Sequence, residues 1–300
     1  MLFRSYRNRR RLGHCCYALR HRDLVRFSDK ALSSGQRFAA RVEYHGGHYH
    51  GWQAQPHLAV ATVQEEVEAA LGKVAEAPVS TICAGRTDTG VHGYGQIIHF
   101  DAPAARSVKA WTLGVNRHLP DDIRLHWVAP VSSEFHARFS ALSRRYRYVV
   151  LTTPIRSALL EGLVCWYRQS LDLDHMNIAA SMLVGEQDFS AFRAAGCQAT
   201  TPMREVFNCV VERTGDLVII DITANAFLHH MVRNIAGSLL AVGSGKQTTE
   251  WFSRILRGRD RTVAAETAPA SGLYLVEVVY PEVFNLPATP AGPTLLTACL

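Results

Sequence analysis

The stretch Gly85-Arg86-Thr87-Asp88-Thr89-Gly90-Val91-His92-Gly93 constrains this chain more than any other. Three glycines and two threonines surround one carboxylate, and an arginine stands two places before it. Glycine tolerates positive φ and close backbone approach, while threonine hydroxyls and free N–H groups hold a carboxylate in place. An apolar run, Val79 to Ala84, leads in, and an alternating run, Gln96 to Phe100, leads out. The pattern predicts strand, tight loop, strand, with Asp88 at the loop tip. A plain solvated turn accounts for the local composition equally well.

The flanking chain fills in an α+β protein. Arg37 to Tyr44 alternates apolar and charged residues, as a half-buried strand does. Gly46, Gly47 and Gly51 make a flexible loop holding His45, His48, His50 and Trp52. Thr62-x-x-Glu65 is a capping box opening a helix that buries Val63, Val67, Leu71 and Val74. Ala110 to Asn116 reads as a short helix, Asp121-Asp122 as a solvated turn, and Ile123 to Val128 as a strand. Further on come a helix over Leu171 to Leu183 and a hairpin, Val206 to Glu212 with Leu217 to Thr223. A strong helix over Phe227 to Val242, a shorter one over Trp251 to Leu256 and a strand over Leu273 to Tyr280 complete the body. Two similar-sized α/β halves result, 37–135 and 136–283. A Pro-rich tail without pattern, 284–300, follows them.

Residues 1–36 carry nine Arg or Lys against two Asp, so of the net +6 this segment holds +7 and the remaining 264 residues −1. With no periodic apolar pattern the segment is expected to be a disordered basic arm, a transit peptide or an over-extended start. Because the body is nearly neutral, any nucleic-acid site must come from clustered arginine, not from a bulk field. Seven cysteines without a Cys-x-x-Cys, in a chain too long to depend on disulfides, point to a reducing cytoplasm. No apolar run approaches the roughly 18 to 20 residues of a membrane span.

Phe135 to Val150 is the second informative stretch. Arg138, Arg144, Arg145 and Arg147 interleave with Phe139, Tyr146 and Tyr148. Period 2 puts the two tyrosines on one face and Arg145 and Arg147 on the other. Arginine beside aromatics suits phosphate contact with base stacking, and equally suits an amphipathic strand with core tyrosines. A metal reading finds little: His48-x-His50 lacks partners at ligand spacing, and His229 and His230, adjacent on a helix, are expected to face apart. His229 and Arg233, four residues apart, are expected to share a wall.

Asp88-Thr89-Gly90 invites comparison with aspartic proteases, whose chemistry needs two carboxylates sharing a proton. No second Asp-Thr-Gly exists, and Arg86 favours the doubly ionised state that mechanism must avoid. Neither Gly-x-Ser-x-Gly nor Gly-Lys-Ser/Thr occurs. One acid, one arginine on a separate helix and an aromatic on a strand suit a single carboxylate working on a flipped nucleobase.

Over about residues 37–283 the chain resembles the tRNA pseudouridine synthase A family. The motifs are Gly46, Tyr49, Gly51, Trp52 and Gln53; Gly85 to His92; Phe135-x-Ala137-Arg138 running on to Arg144-x-Tyr146-x-Tyr148; Gly185-x-x-Asp188-Phe189; Phe227 to Asn234; and Ala268-Pro269-x-x-Gly272-Leu273. The resemblance implies an isomerase converting uridines 38–40 of the tRNA anticodon stem-loop to pseudouridine. It implies Asp88 as catalytic carboxylate, Arg233 as its partner, Tyr146 stacked on the target base, Arg86 positioning RNA, and Leu273 as a packing wall. It further implies two α/β halves around a mainly antiparallel sheet with the cleft between them, and a homodimer whose subunits the tRNA can bridge. Moving a glycosidic bond from N1 to C5 involves no net redox change and no hydrolysis, so no metal or nucleotide cofactor is expected. A non-catalytic RNA-binding protein on the same scaffold is the rival, and it has no need of Asp88. The Arg-rich arm and the tail beyond Pro281 lie outside the resemblance, and His45 and His48 fill loop positions for which it gives no expectation.

Overall fold

The computed structural model describes residues 27–297. The arginine-rich segment up to Arg26 lies outside the described residues. One mainly antiparallel sheet runs through the molecule. Its strands are β1 (Arg37–Tyr44), β2 (Ile82–Cys83), β3 (His92–Asp101), β4 (Ile123–Val131), β5 (Ser143–Leu151), β6 (Cys165–Trp166), β7 (Gly185–Asp188), β8 (Met203–Thr214), β9 (Leu217–Ala224) and β10 (Leu273–Val279). The spatial order is β4-β1-β3-β10-β5-β9-β8-β7, with β2 on β3 and β6 on β5. All pairs are antiparallel except β10 with β3 and β5 with β6.

The insertion of β10 positions the site. This last strand enters between β3 and β5, setting Tyr274 opposite His92 and Leu275 opposite Tyr146. It thereby joins the strand that follows the Asp88 loop to the strand that carries Tyr146.

The helices are α1 (Val63–Ala75), α2 (Leu173–Ser181), α3 (Met231–Gly243), α4 (Thr249–Gly258) and a terminal turn, α5 (Thr294–Thr297). Helix α1 begins at the capping box: Thr62 accepts from the Glu65 N–H at 3.4 Å and donates to the Glu65 carboxylate. Its apolar stripe joins Phe38, Phe100 and Trp111 in a core under β1 and β3. Helices α2, α3 and α4 cover β5, β8 and β9, where Tyr146, Tyr148, Ile220 and Ile222 meet Met231, Ile235 and Leu239. Period 2 holds along β5, because Val149 and Leu151 face the opposite side, onto Tyr274, Val276 and Leu296.

Several expectations change. The segment before Arg37 is not loose throughout: Ala31 bridges Ser107, and Leu32 and Gly35 donate to the Arg106 and Ala102 carbonyls. In the Pro-rich tail, Leu296 is buried on the outer face of the sheet. Asp122 is no solvated turn residue, since it accepts from Tyr49 Oη at 2.7 Å and pairs with His48 at 3.1 Å. Arg145 and Arg147 neither line the Asp88 cleft nor simply face water: they pair with buried Asp221 at 2.7 and 2.8 Å. Among the described residues no helix is long and apolar enough to cross a membrane.

Candidate functional site

The Asp88 loop is held mostly by its backbone and its neighbours. The Val91 N–H donates to the Asp88 carbonyl at 3.1 Å, and Gly90 has φ +79°, the value a type II turn needs at its third residue. Tyr44 Oη and Thr87 Oγ1 share a hydrogen bond of 2.8 Å, and the Trp52 N–H donates to the Thr87 carbonyl at 3.0 Å. Gln96, fully buried in β3, donates through Nε2 to the Gly85 carbonyl at 2.6 Å. Gly51 is a close point of this cradle. It has φ +87°, and a Cβ there would stand 2.6 Å from the Thr87 carbonyl oxygen. Gly51→Ala is therefore expected to destabilise the protein by about 2–3 kcal/mol and to lower turnover by displacing the loop. Urea unfolding checks this, and an unchanged midpoint would refute it.

His92 ties the far end of the loop. Its Nδ1 accepts from the Gly46 N–H at 3.1 Å, so Nε2 carries the proton and faces the Gly162 and Ser271 carbonyls at 3.0 and 3.1 Å. Burial pushes its imidazole down to about 4, and burial does the same to His99, whose Nδ1 accepts from the Ala137 N–H. An unfolded imidazole titrates near 6.5, so between those values the unfolded chain binds more protons than the folded one. Stability from the two neutral rings is complete above about pH 6.5 and is lost as pH falls toward 4, by up to about 3 kcal/mol per ring. The urea midpoint should fall over this window, and less so in His92→Asn. A pH-independent midpoint contradicts the assignment.

Asp88 opens into a cleft of about 1030 Å³. Arg86, Arg138, Arg144, Arg204 and Arg233 line it, and Asp88 is its one carboxylate among the described residues. Arg144 is structural, because its guanidinium donates to the Ala84, Arg138, Ala141 and Asn225 carbonyls. Arg86 stands exposed on the wall and makes no ion pair among the described residues. Arg233 sits in the first turn of α3 with Nη1 3.6 Å from Asp88 Oδ2. Its other edge is pinned, Nε donating to the Ala268 carbonyl at 2.8 Å. Gly237 permits that contact, since any Cβ there would lie 2.1 Å from the Glu266 carbonyl oxygen.

Tyr146 forms part of the cleft floor. It is 7% exposed, with Phe227 edge-on at a ring distance of 5.0 Å. Burial, aided by the charge of Asp88, raises its phenol well above the usual range, so it stays protonated. The hydroxyl makes no hydrogen bond among the described residues, and a Cβ on Gly85 would come no closer to it than 3.8 Å. Buried Leu273 lines the same cleft, paired in the sheet with Tyr148. All five residues singled out by sequence therefore line one cavity.

The histidines differ from expectation. Helix α3 begins at Met231 and not at Phe227, because His230 adopts the left-handed conformation, φ 60° and ψ 4°. The two imidazoles consequently do not diverge. Their rings lie 4.0 Å apart, His229 Nε2 is 3.3 Å from Asp88 Oδ1, and His230 Nε2 is 3.4 Å from Oδ2. Burial lowers the His230 imidazole, against the pull of Asp88. A left-handed non-glycine residue carries strain of about 1–2 kcal/mol, and such residues cluster at functional sites. Helical periodicity alone does not reveal this turn.

One carboxylate faces an arginine-lined cleft with a protonated tyrosine on its floor, a charge arrangement that attracts a polyanion. Comparison with known proteins makes the class specific. The sequence model described as tRNA pseudouridine synthase matches residues 40–140 and 179–281. The tRNA pseudouridine synthase A of Idiomarina loihiensis is 55% identical over 260 residues, 87% of this chain and 99% of that protein. Those of Photobacterium profundum and Legionella pneumophila are each 53% identical over 260 residues, again 87% of this chain, and 99% and 98% of the relatives. The chain belongs to the tRNA pseudouridine synthase family, a family of isomerases.

Proposed function

We propose that this protein isomerises uridines 38–40 in the anticodon stem-loop of tRNA to pseudouridine, with Asp88 as the catalytic carboxylate. The observation that carries the reading is a carboxylate, the only one lining the cleft among the described residues, facing five arginines. Phosphates are drawn there by Arg86, Arg138 and Arg204, while the target base leaves its stack and lies over Tyr146, with Phe227 at its edge. Arg233 aims Asp88 at the nucleotide. The N1–C1′ bond breaks, a C5–C1′ bond forms, the C5 hydrogen departs and N1 gains a proton, so atoms and electrons balance within the substrate plus solvent protons. Tyr146, kept protonated by burial, supplies an O–H toward the base. The cytoplasm as location and a homodimer bridged by tRNA complete the reading, and the near-neutral charge outside residues 1–36 fits binding through such local patches.

Unmodified tRNA incubated with the protein, treated with a carbodiimide that stays on pseudouridine N3 and mapped by primer extension, tests the target. New pseudouridine is expected at 38, 39 or 40. Pseudouridine confined to other stems would overturn the anticodon assignment.

A further inference from the structure

The pair His229 and His230 has no assigned task. Imidazole is the commonest metal ligand, and two imidazoles with one carboxylate form a known zinc donor set. Around a tetrahedral zinc ion with bonds of about 2.0–2.1 Å, neighbouring donor atoms stand about 3.3–3.4 Å apart. Two donor pairs have that spacing, each through a different oxygen of Asp88: His229 Nε2 with Oδ1 at 3.3 Å, and His230 Nε2 with Oδ2 at 3.4 Å. A rotation of the carboxylate is therefore needed to offer one oxygen to both imidazoles. Ligand atoms from all three residues lie within 4.8 Å of one another. The left-handed turn at His230 is what swings the two rings to the same side. The side chains of Asp88, His229 and His230 are 25, 43 and 30% exposed, so the cleft offers an entry path and room for a water ligand.

We infer that Asp88, His229 and His230 form a binding site for a zinc-class divalent cation, and that occupancy withdraws Asp88 from the substrate and inhibits the enzyme. The ion here is a competitor for the carboxylate, not a cofactor. The inhibitory half rests on Asp88 being the catalytic carboxylate. Arg233, with Nη1 3.6 Å from Asp88 Oδ2, opposes a second cation and makes the site weaker than a closed four-ligand one. Such a site is readily reversible.

The test is calorimetric titration of the full-length, metal-free protein with zinc chloride, repeated on His229→Gln, His230→Asn and Asp88→Asn. Asparagine tolerates the left-handed conformation at 230, and circular dichroism checks that each variant is folded. His14, Cys15, Cys16 and His21 offer other ligands, so the readout is the event that differs between proteins. The wild type should show one binding event that each variant weakens at least tenfold. Cobalt(II) should give visible bands of a low-coordinate site that the same variants lose. Saturating zinc should lower wild-type turnover at least tenfold, and chelator should restore it. Identical titrations in all four proteins overturn the site, and binding without inhibition overturns its inhibitory role. Turnover measured in chelator separates the two readings: full turnover without the zinc event defeats this inference alone. The zinc event with no turnover on any tRNA leaves the site standing and defeats the functional reading.

Discussion

Asp88→Ala is expected to lower pseudouridine formation by roughly 10⁴-fold or more while changing tRNA affinity by less than about threefold. The two effects separate because the carboxylate does not hold its own loop. The turn closes through the Asp88 carbonyl, and Thr87 is fixed by Tyr44 and Trp52. At 25% exposure the side chain leaves no buried void, and Arg233 keeps its bond to Ala268. Removing Asp88 also leaves the arginine wall intact, so the proposed phosphate contacts are expected to persist. Single-turnover kinetics and filter binding on the same preparation check both halves. Parallel loss of binding and turnover would make Asp88 a structural residue.

Tyr146 should show the second large effect, and two substitutions divide it. Tyr146→Ala removes a ring that is 7% exposed and packed on Phe227, which destabilises the fold by about 3–5 kcal/mol. It also removes a stacking surface that contributes about 1–3 kcal/mol to holding a base. Tyr146→Phe keeps ring, packing and stacking, and the lost hydroxyl breaks no hydrogen bond among the described residues. Stability within about 1 kcal/mol of wild type, and turnover well above that of Tyr146→Ala, are expected. Thermal melts and initial rates decide. Equal loss of activity in both variants would show that the hydroxyl is essential to the chemistry.

Local signals in this sequence were legible where one element satisfies its own needs. The Arg37–Tyr44 strand has its predicted bounds, and Thr62 caps α1 by accepting from the Glu65 N–H, although the Glu65 carboxylate takes the Thr62 hydroxyl and not its backbone N–H. The Asp88 loop follows from its glycines, because only a positive φ closes that turn. Long-range pairing was not legible: nothing in Leu273 to Val279 says that this strand enters between β3 and β5, parallel to one and antiparallel to the other. Charge partners were hidden for the same reason. Arg145 and Arg147 meet Asp221 across a strand pair some 75 residues away in sequence. The apolar stripe continues back through Leu228, so periodicity places the start of α3 at Phe227, while one strained residue, His230, delays it by four residues to Met231. One missed signal was available. Gln96 shares a strand face with Ile98 and Phe100, and an amide on an apolar face must find a partner, here the Gly85 backbone.

The most direct test of the central claim is tritium release from tRNA carrying uridine labelled at C5. Joining C1′ to C5 expels that hydrogen, so the label reports the bond exchange itself. Wild-type protein should release tritium with no added metal or nucleotide, and Asp88→Ala should release none. Binding of tRNA without release, across several tRNA species, would contradict the account and leave an RNA-binding protein on a synthase scaffold.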